Sequence, residues 1–171
     1  MSEIPEPAKK IQRLMMMAAV IGAVSVLIFL FAERAAANEL EFYRDAKLPD
    51  WAPFSSAVVV GDTIYVSGHL GRDPETNELV EGGAGPETRQ TMRNMKKTLN
   101  AVGASFRDVV KCTVFLDDMD DYEAMNEAYV EFFRGPRPAR STIGADGLAL
   151  GAKVEIECIA ARPDNLLKKA H

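Results

Sequence analysis

Residues 55–68 read SSAVVVGDTIYVSG. Two β-branched runs flank Gly61-Asp62, the pattern of two strands joined by a tight turn, so a hairpin opens the folded domain. Past it, residues 70–85, LGRDPETNELVEGGAG, are dense in Gly, Pro, Asp and Asn and read as a loop, with Leu79 and Val80 available for a short strand. From Pro86 to Val102 the apolar positions Met92, Met95, Leu99 and Val102 recur at spacings of three and four. That spacing predicts an amphipathic helix, with Pro86 in its first turn and Gly103 as its stop.

Residues 108–119, DVVKCTVFLDDM, alternate Val110, Cys112, Val114 and Leu116 against Val109, Lys111, Thr113 and Phe115, a strand with one largely apolar face. A second helix follows from about 121 to 133. Tyr122, Met125, Tyr129, Phe132 and Phe133 form its apolar stripe, Asp120 or Asp121 serves as N-cap, and Gly135-Pro136 ends it. The segments ARSTIGA and KVEIECIAA give two more strands. The order β-β-α-β-α-β-β defines an α+β fold, a mixed sheet with two helices on one face.

Upstream, residues 14–32, LMMMAAVIGAVSVLIFLFA, carry no charge and no proline, and Lys9, Lys10 and Arg13 precede them. An all-apolar helix of that length matches a bilayer core, and the flanking positive charges predict a single-pass anchor with the N-terminus inside and the domain outside. The competing reading is a cleaved export signal, for which the run is long. The expected organisation is a cytoplasmic segment 1–13, a membrane helix 14–32, a linker 33–50, a folded domain 51–163 and a tail 164–171. The whole chain of 171 residues has 20 basic and 25 acidic side chains, a net charge of -5, which argues against nucleic acid as a partner.

Two helices cover only one face of a sheet. In the last strand Glu155 and Glu157 share a face, about 7 Å apart by strand geometry, while Arg140 and Thr142 share a face of the strand before it. If those strands pair antiparallel, a guanidinium and a carboxylate meet beside the uncovered face, and a second copy laid there encloses a polar pocket. Other chemistries lack residues. His69 and the terminal His171 are the only histidines, GGAG is not followed by the lysine of a phosphate loop, and no serine sits in a nucleophile elbow. One arginine with one or two acids suits a small carboxylate and a positioned water.

The stretch APFSSAVVVGDTIYVSGHLG, the run DVVKCTVFLDDMDDYEAMNEAYVEFF, the PARST at Pro138 to Thr142 and the final KVEIECIA together resemble the YjgF/YER057c/UK114 family, known for the reactive intermediate deaminase RidA. The resemblance covers about Trp51 to Arg162. It implies a chorismate-mutase-like (RidA-like) α+β fold, a homotrimer with clefts between subunits, no metal or organic cofactor, and hydrolysis of 2-imino acids or their enamines to 2-oxo acids and ammonia. By the same resemblance Arg140 grips the substrate carboxylate and Glu155 helps to activate water. Ser67 and Gly68 line the cleft, and Asn126 on the second helix matches another family position near it; Thr142, which shares a strand face with Arg140, joins the expected substrate-binding set. The family often has tyrosine where this chain has Phe54 and glutamine where it has His69, so both positions bear on substrate contact.

Plainer roles compete. Arg140 and Glu155 also suit a cross-strand ion pair that fixes register, Glu157 a solvated charge, and His69 a structural histidine at a turn. Cys112 and Cys158 read as small core residues, able to join only if their Cα atoms lie within about 7 Å. Three functions follow: an imine deaminase, a noncatalytic trimeric binder of small carboxylated metabolites, and, against the net charge, an endoribonuclease.

Overall fold

Alternating apolar residues decide which side of the sheet is buried. A computed structural model of the protein describes residues 5–36 and 40–163; the expected tail 164–171 lies outside the described residues. The elements are α1 (Glu6–Ala36), β1 (Leu40–Tyr43), β2 (Ala57–Val60), β3 (Thr63–Leu70), α2 (Ala84–Ala101), β4 (Val109–Leu116), α3 (Tyr122–Val130), β5 (Ala139–Gly144) and β6 (Val154–Ala161). The chain divides into two units, Met1–Glu39 and Leu40–His171.

In the second unit the six strands run in the order β1-β2-β3-β6-β4-β5. All neighbours are antiparallel except β4 and β5, which are parallel. The hairpin is as the sequence predicts: Val60 pairs with Thr63, and Gly61 takes the turn at φ 55°, a conformation that glycine adopts without a Cβ clash. Ala57, Val59, Ile64, Val66, Cys112, Val114, Val154, Ile156 and Cys158 point to one side and are buried against Met92, Met95 and Leu99 of α2 and Met125 and Tyr129 of α3. Burial of that apolar layer drives the fold. α2 ends in a Schellman turn, with Gly103 at φ 79° and the Ala104 N–H donating to Leu99 O at 2.8 Å.

The start of β6 is tied to α2 by Glu87, a buried residue whose Oε2 accepts the Lys153 N–H at 2.8 Å. Burial pushes that carboxyl above its ordinary value. Gly71 lets β3's exit pass this helix turn closely, since a Cβ there would stand 2.7 Å from Glu87 O.

Three expectations change. The segment expected to be linker, 33–50, supplies β1, whose Leu40 pairs with Val60; four residues are too few to display a period of two against a polar background, so the sheet begins at Leu40 rather than after Trp51. Asp121 stands at the N-cap of α3, as expected, but makes no side-chain cap bond; the capping side chain is Asp118, which accepts from Asp120 N ahead of the short 3-10 turn Met119–Asp121. The membrane expectation is overturned: among the described residues no helix is long and apolar enough to cross a bilayer. The N-in, C-out placement falls with it.

Cys112 and Cys158 stand directly opposite each other on β4 and β6, with Cα atoms 4.1 Å apart, and are joined as a disulfide. The bond closes a separation of 46 residues across two central strands. Reduction is therefore expected to lower the unfolding free energy by about 2–4 kcal/mol, measured as a shift of the urea midpoint with and without reductant. An unchanged midpoint, with two thiols alkylated in the native protein, would show that the cysteines stay reduced in solution.

Candidate functional site

The residues singled out from the sequence separate into two groups. Phe54, Ser67, Gly68 and His69 line a cleft of about 320 Å³ on the second unit, together with Asn94 and Thr98 of α2. Phe54 is placed by the loop after β1, where Arg44 Nη1 donates to Phe54 O at 2.7 Å and to Ala52 O at 3.2 Å, and Nη2 to Pro49 O at 3.0 Å. Its ring is half exposed. Ser67 closes the strand end onto the same loop, its N–H donating to Ser56 O at 3.1 Å and its Oγ to Ser55 O at 2.7 Å.

The β3–β6 ladder is irregular here. Val66 pairs with Cys158 and His69 with Ile156, so β3 holds one residue more than β6 between those pairs, a bulge at Ser67-Gly68. Glu155 lies across it. A Cβ on Gly68 would stand 1.9 Å from Glu155 Oε1, so only glycine leaves room for the carboxylate in this position. Burial first, and then the like charge of Glu157, raise the Glu155 carboxyl above its ordinary 4.5. His69 is held below its ordinary 6.5, chiefly by burial, against the opposing effects of Ser67 O and Asp45.

The second group surrounds Arg140 on the edge strand β5. Its guanidinium lies over the Tyr129 ring at 4.9 Å and the Tyr122 ring at 5.7 Å. Nη2 donates to Tyr122 Oη at 3.3 Å, and Nη1 contacts Met125 Sδ at 3.8 Å. No carboxylate of the described residues forms a salt bridge with it. An arginine stacked on aromatic faces is oriented without being neutralised. Tyr129 is buried, its hydroxyl has no partner among the described residues, and burial pushes its pKa up to about 12. Asn126 stands on α3 one turn beyond Tyr122, and Thr142 follows Arg140 on the same side of β5.

The antiparallel meeting of Arg140 with Glu155 does not occur, because β4 lies between β5 and β6. Arg140 is in register with Cys112, on the helix-covered side; Glu155 is in register with Phe115 and alternates with buried Val154 and Ile156, on the open side. Within one chain the two groups face opposite sides of the sheet. Sequence reasoning also passed over Tyr122 and Tyr129 as neighbours of Arg140, treating them as core stripe. Their spacing of seven on one helix, with Asn126 between, was the available signal; the parallel β4–β5 crossover that lays α3 over β5 was not. Thr98, the partner of His69, went unmarked because threonine on a buried helix face gives no periodic signal.

A six-stranded mixed sheet with two helices on one face is the RidA-like class of domain. Residues 45–162 match the family model described as Endoribonuclease L-PSP, and the chain belongs to that family. It is 46% identical over 107 residues, 63% of this chain and 84% of the other, to a 2-iminobutanoate/2-iminopropanoate deaminase of Dermatophagoides farinae. A protein of the same description from Homo sapiens is 43% identical over 108 residues, 63% of this chain and 79% of that one. The crystal structure of RidA from the Antarctic bacterium Psychrobacter sp. PAMC 21119 superposes with a TM-score of 0.66 at 40% identity, over 71% of this chain and 98% of that one.

The Glu155 environment makes a prediction independent of any reaction. Its carboxyl should titrate above 4.5, and Glu157→Gln, which removes the like charge, should move that midpoint down; carboxyl carbon shifts followed against pH check both. A midpoint that ignores Glu157→Gln would show that the two acids do not interact.

Proposed function

We propose that this protein is an enamine/imine deaminase, a hydrolase acting on C–N bonds that converts 2-imino acids of the 2-iminobutanoate or 2-iminopropanoate type to 2-oxo acids and ammonia. The relatives' described activity supports the reading, and one observation on this chain carries it: a carboxylate of raised basicity seated on Gly68, in a domain that also holds an arginine free to take a carboxylate.

The chemistry asks little of the protein. An imine carbon is already electrophilic, and water adds to it unaided at a slower rate. Arg140 takes the substrate carboxylate in a bidentate grip, which fixes C2. The imine nitrogen enters protonated, as the iminium. Glu155, as carboxylate, accepts a proton from water as the water oxygen bonds to C2, giving the neutral carbinolamine. The acid then returns that proton to the amine nitrogen, and as the C–N bond breaks the Glu155 carboxylate takes the hydroxyl proton, leaving 2-oxo acid and ammonia and passing its proton on to solvent. A raised pKa suits both halves of that exchange. Its sign also sets the pH response: the carboxylate, and turnover with it, is lost as pH falls through the raised value.

Since the two groups lie on opposite faces of one sheet, the reading needs a second copy, with Arg140 and its neighbours Asn126 and Thr142 from one protomer completing the Phe54, Ser67, Gly68 and Glu155 half from the next. A closed homotrimer repeats that contact three times. The description of the family as an endoribonuclease supports the alternative of RNA cleavage, against which stands a net charge of -5.

Freshly generated 2-iminobutanoate supplied to the purified protein tests the proposal. Arg140→Ala and Glu155→Gln should each abolish turnover above the spontaneous rate, the second with 2-oxobutanoate binding largely kept. Unfolded and refolded together in equal amounts, the two inactive proteins should regain about a quarter of wild-type activity, the statistical share of sites that draw each intact residue from a different subunit. No recovery would remove the shared site, and wild-type turnover at the spontaneous rate would remove the deaminase.

Gly68→Ala gives a narrower check. Its Cβ must displace Glu155 by an ångström or more, so turnover is expected to fall about 100-fold while the unfolding midpoint stays near wild type. Retained turnover would mean that the carboxylate does its work from another position.

A further inference from the structure

His69 lines the cleft, yet both of its ring nitrogens are engaged within the protomer. Nδ1 lies 2.7 Å from Ser67 O, and Nε2 lies 2.9 Å from Thr98 Oγ1. A carbonyl oxygen can only accept, so Nδ1 carries the proton and donates to Ser67 O. In the neutral ring Nε2 is then the acceptor, and the Thr98 hydroxyl donates to it. Thr98 is buried on α2, which makes the imidazole a strut between the helix and the strand.

What the strut holds is the bulge. The extra residue in β3 leaves part of its backbone outside the regular ladder, and the Ser67 carbonyl finds its partner in His69. A trans peptide is planar, with C=O and N–H opposed. Fixing Ser67 O toward the imidazole therefore fixes the Ser67–Gly68 peptide plane, and with it the Gly68 backbone against which Glu155 Oε1 rests.

We propose that His69 is a positioning residue, locked as the Nδ1–H tautomer between Ser67 O and Thr98 Oγ1, which sets the Gly68 seat of Glu155 and does not itself touch substrate. The inference rests on the deaminase reading for its kinetic consequence and on geometry alone for its tautomer. Glutamine has the same two functions in one side chain, an amide N–H for Ser67 O and an amide oxygen for the Thr98 hydroxyl, whereas alanine has neither.

The test uses the full chain and 2-iminobutanoate as probe. His69→Ala should lower kcat about 10- to 100-fold, the scale of a misplaced catalytic group, with KM changed by less than about threefold because Arg140 keeps the carboxylate. His69→Gln should restore kcat to within about threefold of wild type, by the same measure of transition-state alignment. A raised KM with kcat kept in His69→Ala, or a His69→Gln protein as slow as His69→Ala, overturns the proposal and makes the ring a substrate contact. Long-range proton–nitrogen spectra of the wild-type imidazole decide the geometry separately: an Nδ1–H ring supports the strut, and an Nε2–H ring overturns it. Should the wild type fail to process the imine, the deaminase reading falls, and the spectra still judge His69.

Discussion

Side chains on a β-strand alternate between the two faces of a sheet, and everything about the candidate site follows from which face is covered. The helices α2 and α3 bury one side through Met92, Met95, Leu99 and Met125. On that side β5 presents Arg140 to the rings of α3. On the other, β6 presents Glu155 and Glu157. Because β4 intervenes between β5 and β6, no rotamer of either side chain brings the arginine and the acid together across the sheet. A single chain thus carries the arginine and the acid on faces that point away from each other.

Each of the two groups is held by a different physical device. Arg140 is held by aromatic faces rather than by an acid, so its charge stays available for an incoming anion. Glu155 is seated where a missing Cβ leaves a hollow and where partial burial with a like-charged neighbour makes the carboxylate more basic than in water. The stability that opposes this unfavourable burial comes from elsewhere in the domain. It lies in the apolar layer between sheet and helices, in the Glu87 contact that pins the start of β6, and in the Cys112–Cys158 bond across the two central strands.

Much of the fold was legible in advance because period-two and period-3.6 patterns are local. Met92, Met95 and Leu99 announce α2, Val154, Ile156 and Cys158 announce the buried side of β6, and Gly103 announces a helix stop. β1 escaped because LEFY is too short to display a pattern. The neighbourhood of Arg140 escaped for a different reason: its partners Tyr122 and Tyr129 are 18 and 11 residues away in the chain, and only the crossover of α3 over β5 makes them neighbours. Cys112 and Cys158 are individually plain apolar-face residues whose pairing depends on the register of two strands separated by a helix and a further strand.

The amino-acid sequence by itself determined the α+β class, the hairpin, the two helices and their buried stripes, since hydrophobic periodicity and turn chemistry act over a few residues. It also determined which residue types are present for chemistry: one arginine in a PARST segment, acids on the last strand, and a glycine after the second strand of the hairpin. Only the tertiary structure decided strand order, hence the faces on which Arg140 and Glu155 lie, the bulge that seats the carboxylate on Gly68, and the His69–Thr98 strut. Those depend on pairings between segments far apart in the chain, which are selected by the packing of the whole sheet against its helices and leave no local pattern to read.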